Sequence, residues 1–399
     1  MKPAAAIALG MALAFPGGCG KRDEASSRAV LARGEPGTVC VQGDCLNSTS
    51  ILVRLGGESY AGDFRDGVPH GIGGLAFPGG QSYFGDFVDG RIEGRGTFHL
   101  PDGAVYEGDF VAGLPEGHGS LELGPEARYV GGFRRGLRDG EGYEIEPQGT
   151  LYSGGLREGL RDGRGRETRP DGSMFVGNFR AGKRSGPGLA IGPGRYRYEG
   201  EFAEGVESGH GKARFEDGRE YEGGFHAGKP SGEGVLRFPN GRIYTGGMQD
   251  GQLAGKGRMT LPDGTVVEGE FHEGALEGPG KRTHPDGSVL EGPYVKGFPS
   301  GRCTLRYPDG RVLTAAYQRG KAHGPAVLEH PDGRQEIQIF RRGEVVRTLS
   351  KEAYEAERAQ RQASPAKAPA AAGGKAEAQA DASASAEEPR RGIEVDLAR

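Results

Sequence analysis

The sequence has no tryptophan, and residues able to fill a core (AVILMFWYC) make up only 35% of it. A single thick hydrophobic core is therefore not expected for its 399 residues. It also lacks an excess of either charge: 51 Lys and Arg face 55 Asp and Glu, a balance of −4. No global polybasic footprint for nucleic acid is present, nor an acidic solvating tail. No internal run reaches the ~18 apolar residues of a transmembrane helix. Helical periodicity is missing throughout residues 60–343. What is abundant is glycine, 77 residues, about 19% against a usual ~7%. With 25 prolines, such a composition reads as low complexity unless it has a period.

The N-terminus reads as an export signal over residues 1–18. Met1-Lys2 opens it, Ala4–Phe15 is apolar, and Pro16-Gly17-Gly18-Cys19 follows. Small residues before a cysteine resemble a bacterial lipobox, with Pro16 where its consensus prefers Leu. Lipidation of Cys19 would anchor the chain at a membrane. The alternative is cleavage after Ala12-Leu13-Ala14, leaving Cys19 a thiol. The expected location is the bacterial envelope, outer membrane or periplasm. Residues 19–36 are polar and read as a tether. Cys40 and Cys45 form a close pair, which in an exported chain is expected to be a disulfide. No second pair exists to complete a zinc site, and no metal or other cofactor is expected.

The period is 23 residues. Comparable segments begin at Tyr60, Tyr83, Tyr106, Tyr129, Tyr152, Phe175, Tyr198, Tyr221, Tyr244, Val267, Leu290 and Leu313. Counting each start as zero, Gly recurs at +2, an aromatic or large apolar residue at +4, and Gly at +7 and +11; Pro-Asp-Gly or a relative closes most copies. Positions 0, +2 and +4 share one face of a strand. Ring, gap and ring let neighbouring rings lie over glycine backbone. Gly at +7 and +11 are expected to bracket a polar turn, where φ > 0 is cheap only for Gly. Gly at +13 opens a second strand as a close-approach position, and Pro-Asp-Gly turns into the next hairpin.

The pattern Tyr-x-Gly-x-Phe-x-x-Gly-x-x-x-Gly-x-Gly resembles the MORN repeat. It covers about 60–343, twelve copies and a terminal half copy, with 37–59 as a degenerate first copy. The resemblance implies an all-β fold: an elongated, twisted, single-layer antiparallel sheet of 23-residue hairpins with an aromatic-lined groove. Tyr60, Phe64, Tyr83, Phe87, Tyr106, Phe110, Tyr198, Phe202, Tyr221 and Phe225 are the candidate groove residues. Departures are Leu156 and Met248 at +4, Cys303 and Ala326 at +13, and Ala315 at +2, which suggest looser packing toward the C-terminus. Cys303 reads as a small buried hydrophobe. Residues 344–363 read as a cap strand and a helix with Ser350 at its N-cap, and 364–399 as a disordered tail.

Chemistry is sparse. The Gly-x-Gly pairs belong to the repeat, since a dinucleotide fingerprint needs a helix after the turn. Nine histidines scatter over repeat positions. No paired acids suggest a catalytic pocket, so no enzyme is expected. One segment stands out: Arg128 to Arg184 holds twelve basic and eight acidic residues. Its Arg157, Arg161, Arg164, Arg166 and Arg169 are candidate anion-binding residues, because Arg suits phosphate or carboxylate by its fork. The expected function is a non-enzymatic scaffold or binding module with a protein partner in its groove. The alternatives are binding of anionic phospholipid or polysaccharide, and a role as accessory subunit to an envelope enzyme.

Overall fold

The computed structural model describes residues 32–194 and 196–363. The expected export signal, Cys19 with most of the expected tether, and the tail from 364 lie outside the described residues. The fold is all-β: thirty strands of antiparallel sheet, with one C-terminal helix over Lys351–Ala363. The chain divides into two compact units at Gly209–His210, each built from the same hairpin.

In each hairpin the first strand covers −1 to +5, as in Ser59–Arg65, and the second +8 to +16, as in Val68–Ala76. The turn between them is two residues long. Asp66 and Gly67 both have positive φ, 51° and 81°, and the pair recurs in every repeat, as in Ala227 and Gly228 at 49° and 81°. Positive φ at both centres is the type I′ turn, whose twist matches the strands it joins. The expected turn bracketed by +7 and +11 is thus corrected. Gly at +7 is its second residue, while Gly at +11 lies inside the second strand. There the register jumps: Gly62 faces Gly73 but Phe64 faces Pro69, so Asp63 alone opposes His70, Gly71 and Ile72. Gly71 takes φ 82° at this bulge. Bulges of this kind favour glycine.

Adjacent turns are tied together. The Gly113 amide donates to the Ile92 carbonyl at 3.0 Å, and the Ala112 amide to the Glu93 carboxylate at 3.1 Å. At the other end of eight hairpins an Asp or Asn side chain accepts the amide two residues on. Asp263 takes Thr265 and Asp286 takes Ser288, both at 2.8 Å. This side-chain mimicry of a turn is what places Asp after Pro.

One sheet face carries a row of glycines. Gly62 faces Gly73, Gly73 faces Gly85 and Gly85 faces Gly96; in the second unit Gly223, Gly234, Gly246 and Gly257 continue alike. The position-zero rings fill the space above. A Cβ on Gly73 would lie 2.3 Å from the Tyr60 hydroxyl and 2.5 Å from Cε2. That hydroxyl donates to the Asp63 carbonyl at 2.9 Å. In the Tyr60, Tyr83, Tyr106 and Phe175 repeats the ring at zero also meets the +4 rings of its own and the next repeat edge-on: Tyr60 lies 5.2 Å from Phe64 and 4.9 Å from Phe87. Such edge-to-face pairs add about 0.5–1.5 kcal/mol each beyond area burial.

Toward the C-terminus the code changes. Leu290 and Leu313 replace the ring at zero, and Cys303 and Ala326 replace glycine at +13. Leu290, Leu313, Cys303, Ala315 and Ala326 are all buried. Cys303 Sγ lies where a Cβ on Gly292 would come within 2.5 Å of it. A smaller residue at zero frees the space that a larger +13 residue fills.

Candidate functional site

The ten candidate groove rings do not line an accessible groove. Tyr60 and Tyr198 are 0% exposed, and Phe64 and Phe225, at 5%, are the most exposed of the ten. They sit above glycine rows and against each other, so they form the core. Burial raises the hydroxyl pKa of these tyrosines, to about 12 at Tyr198 and Tyr221. Cys40 and Cys45 are disulfide-bonded, with Cα atoms 6.0 Å apart, at the hairpin joining Thr38–Gln42 to Thr49–Arg54.

Two further columns complete the core face, +9 and +15. In most repeats both are apolar and buried, such as Ile92 with Phe98 and Leu253 with Met259. In four consecutive hairpins, those of Tyr129, Tyr152, Phe175 and Tyr198, one or both carry charge, as does Arg282 at +15 of the Val267 hairpin. Arg138, Arg161 and Arg184 occupy +9, and Glu144 and Glu167 occupy +15. Arg138 pairs with Glu144. Arg161 reaches Glu144 at 3.3 Å, Glu146 at 2.6 Å and Glu167 at 2.7 Å. Glu167 also takes Arg184 at 2.7 Å and Arg169 at 3.0 Å. The guanidiniums stack where apolar side chains would cover the rings: Arg161 lies 4.4 Å above Tyr152 and Arg184 4.7 Å above Phe175. Burial pushes the Glu167 carboxyl up, but the hydrogen bond from Arg184 and the charges of Arg184, Arg169 and Arg161 hold it below the ordinary value.

The five candidate anion-binding arginines are therefore split. Arg161 is spent inside this ladder, with 14% of its side chain exposed. Arg169 is tied to Glu167, and Arg157 lies 3.5 Å from Asp162. Arg164 and Arg166 are exposed and, at +12 and +14, lie on the opposite face from the rings.

That opposite face is where the sequence reading missed a feature. Paired residues across strands share a face, so columns −1, +1, +14 and +16 form two rows. In the Tyr129–Phe175 hairpins one row runs Val130, Tyr143, Ser153, Arg166, Val176, Leu189. The other runs Arg128, Ile145, Leu151, Thr168, Met174, Ile191. Eight of these twelve are apolar, and Tyr143, Leu151 and Val176 are 38–43% exposed. The same rows in the preceding hairpins read Ser82, Phe84, Thr97, His99 and Val105, Glu107, Ser120, Glu122, mostly small or polar. The central repeats are thus inverted: charge on the ring face, apolar side chains on the other. Apolar side chains gathered on one exposed face, here interrupted by Ser153, Arg166 and Thr168, mark an interaction site more often than singly scattered ones do. Among the described residues no group of three or more His, Cys, Asp or Glu is placed to hold a metal.

The MORN repeat family profile matches twelve segments, from 60–82 through 316–333. No curated protein sequence matches this chain. Among solved structures it is similar to the TCP domain of SAS-4 (dCPAP) from Drosophila melanogaster, solved in complex with a proline-rich motif of Ana2. Identity there is 16%, over 44% of this chain and 88% of that one, with a TM-score of 0.26. The wild-type TCP10 domain of Danio rerio CPAP is 15% identical over 69% and 98%, TM-score 0.20. Virginiamycin B lyase from Staphylococcus aureus is 11% identical over 68% and 84%, TM-score 0.13. Superpositions this poor carry nothing about binding or catalysis to this chain. The twelve matched segments fall on the ring-and-glycine hairpins described above and cover most of the chain, which belongs to the MORN repeat family.

Proposed function

We propose that this MORN repeat chain is a non-enzymatic scaffold that docks a protein partner on the outer face of its Tyr129–Phe175 hairpins. The observation that carries this reading is the pair of apolar rows around Tyr143, Leu151 and Val176, on repeats whose ring face is closed by ion pairs. The ring face offers a partner no free aromatic surface, so the docking face moves to the other side of the sheet. Arg164 and Arg166 stand exposed on it, and Arg166 interrupts one apolar row. The fitting partner is an extended or helical segment with apolar anchors and acidic neighbours, since carboxylates complement Arg.

A photo-crosslinking residue at position 176 tests it in cells. One polypeptide should be captured there and not from position 245 in the second unit. Leu189→Ser with Tyr143→Ser should abolish that capture. Equal capture from both positions, or capture that survives those changes, refutes the assignment.

A second reading, binding to anionic lipid, is favoured by Arg164 and Arg166. Vesicles containing anionic lipid at salt near ~0.15 M, where screening acts beyond about 8 Å, discriminate. Binding of the unlipidated chain there, lost in Arg164→Ser/Arg166→Ser, would favour lipid. We also propose export to the bacterial envelope with a lipid anchor at Cys19. Cys19→Ser should move the protein from the membrane to the soluble fraction, and unchanged fractionation rejects the anchor.

A further inference from the structure

The chain carries its own example of how an outer row is covered. Its last two strands, Gln335–Arg341 and Glu344–Ser350, extend the outer face of the second unit. Ile337 continues the row of Thr314 and Val327 and faces Leu349, while Arg347 lies beside Leu349, across from Ile339. The helix Lys351–Ala363 packs on both strands. Under it Ile337 is 6% exposed, against 41% for Val176 in the same column of the Phe175 hairpin. Over residues 351–361 only Tyr354 and Glu357 are half-buried. Residues three apart share a helix face, and this face bears an ion pair: the Arg347 guanidinium donates to Glu357 at 2.9 Å. The helix runs back along the last strand. Seven residues from Ser350 to Glu357 rise ~10 Å, and three strand residues from Ser350 back to Arg347 span about the same ~10 Å.

Arg164 stands where Arg347 does. Both lie on the second strand of a hairpin, on the outer face, across from a +3 residue: Asn178 for Arg164 and, counting Glu336 as zero, Ile339 for Arg347. Arg164 is exposed. The strands beneath it and beneath Tyr143, Leu151 and Val176 are paired on both sides. They leave no edge, and an extended segment needs one to make its backbone hydrogen bonds. A helix bonds its own backbone and brings only side chains to a face. We propose that the segment docked on the Tyr129–Phe175 outer face is an α-helix lying along the strands. It carries a large apolar residue and a carboxylate three or four positions apart, with the carboxylate on Arg164. This rests on the docking face proposed above, and adds the conformation of the partner and the residue that orients it.

Photo-crosslinking residues at 174 and 176 test it. These positions lie on one strand and one face, about 6.6 Å apart. A helix aligned with the strand covers that distance in about four residues, an extended segment in about two. The partner residues captured from 174 and from 176 should therefore lie three to five apart, at ~1.5 Å of rise each. Arg164→Glu should lower capture from 176 about tenfold, the scale of one charge-assisted contact. Exchange of the captured segment's acid for Lys should restore capture by that variant. Arg95→Glu, at the same repeat position of the Tyr83 hairpin, should leave capture unchanged. An offset of two or none, or capture indifferent to Arg164→Glu, overturns the helix and leaves the docking face standing. No capture from 176 at all rejects the docking face, and the helix with it.

Discussion

Gly96→Ala in the Tyr83 hairpin is expected to be costly, and replacing Tyr83 by Leu in the same chain is expected to cancel much of that cost. A Cβ on Gly96 would lie 2.4 Å from both Cε2 and the hydroxyl of Tyr83. The ring is fully buried and has no free direction, since Phe87 and Phe110 stand 5.3 and 5.1 Å away edge-on. Overpacking of that kind costs about 1–3 kcal/mol. Tyr83→Leu alone loses two edge-to-face contacts at ~0.5–1.5 kcal/mol each and the hydroxyl bond to the Asp86 carbonyl, worth ~1 kcal/mol, or about 2–4 kcal/mol together. In the double variant the methyl fills part of the space the ring leaves, as Cys303 does beside Leu290 and Ala326 beside Leu313. The coupling should be favourable by ~1–3 kcal/mol. A repeat sheet is not a two-state unit, so the readout is amide exchange over residues 82–99 in the four chains of the cycle. Costs that add to within ~0.5 kcal/mol would refute the idea that ring and +13 side chain compete for one space.

Ala227→Gly relieves a left-handed residue at φ 49°; that strain of ~1–2 kcal/mol exceeds the ~0.5–1 kcal/mol entropic cost of glycine, so the local melting temperature should rise, and a fall would contradict the turn assignment. Tyr129, Tyr152, Tyr198 and Tyr221 have hydroxyls raised to about 12 by burial. A raised folded value means stability is complete below the ordinary ~10 and is lost as pH climbs through about 12, so tyrosinate absorbance and loss of sheet circular dichroism should appear together in that window. Glu167 is held low, so its contribution is complete above the ordinary ~4.3 and disappears as pH falls through the folded value. Glu167→Gln should lower stability by about 3 kcal/mol at neutral pH, the scale for breaking a buried pair, and should flatten the acid limb of the melting curve; an unchanged acid limb would place the titration elsewhere.

The hairpin and its ring-over-glycine face were legible because three chemistries repeat in register at one period. Ser350 as N-cap was legible too: its hydroxyl takes the Ala353 amide at 3.2 Å. The two-residue turn was not, because its first position is Ala112, Arg135, Glu158 or Lys296 as readily as Asp. The Asn or Asp that normally announces left-handed φ is mostly absent, and only the invariant Gly at +7 marks it. The rings were read as a groove lining because periodicity places them on one face without saying how closely they pack. Depth comes from the glycine row, which lets a ring sink against backbone until nothing of it is exposed. The +9 column was readable: Pro69, Ile92, Pro115, Pro230, Leu253 and Leu276 recur there. Attention to it would have shown Arg161 as a core substitution rather than a surface cation.

The inversion in the Tyr129–Phe175 hairpins bears most directly on function. A buried Arg–Glu ladder gives a free chain little that apolar packing would not, since desolvation offsets much of the Coulomb gain. Tyr143, Leu151, Val176 and their neighbours leave apolar surface in water at about 25 cal/mol per Å². Each departure is unfavourable for the isolated chain, and both occur in the same hairpins, on opposite faces. Docking reverses only the second. Covering ~300 Å² of those rows would return roughly 7 kcal/mol before association costs. The ladder then has a separate role. Arg138, Arg161 and Arg184 are held by Glu144, Glu146 and Glu167 and by the rings beneath, which fixes the register of the strands that present the outer rows. Replacing Arg138, Arg161, Arg184, Glu144 and Glu167 together by Met removes every buried charge of the ladder and leaves no buried partner unpaired. If the ladder supplies register rather than stability, this variant should melt no lower than the parent yet lose capture at position 176. A variant that melts no lower and still captures would show that the two faces are independent.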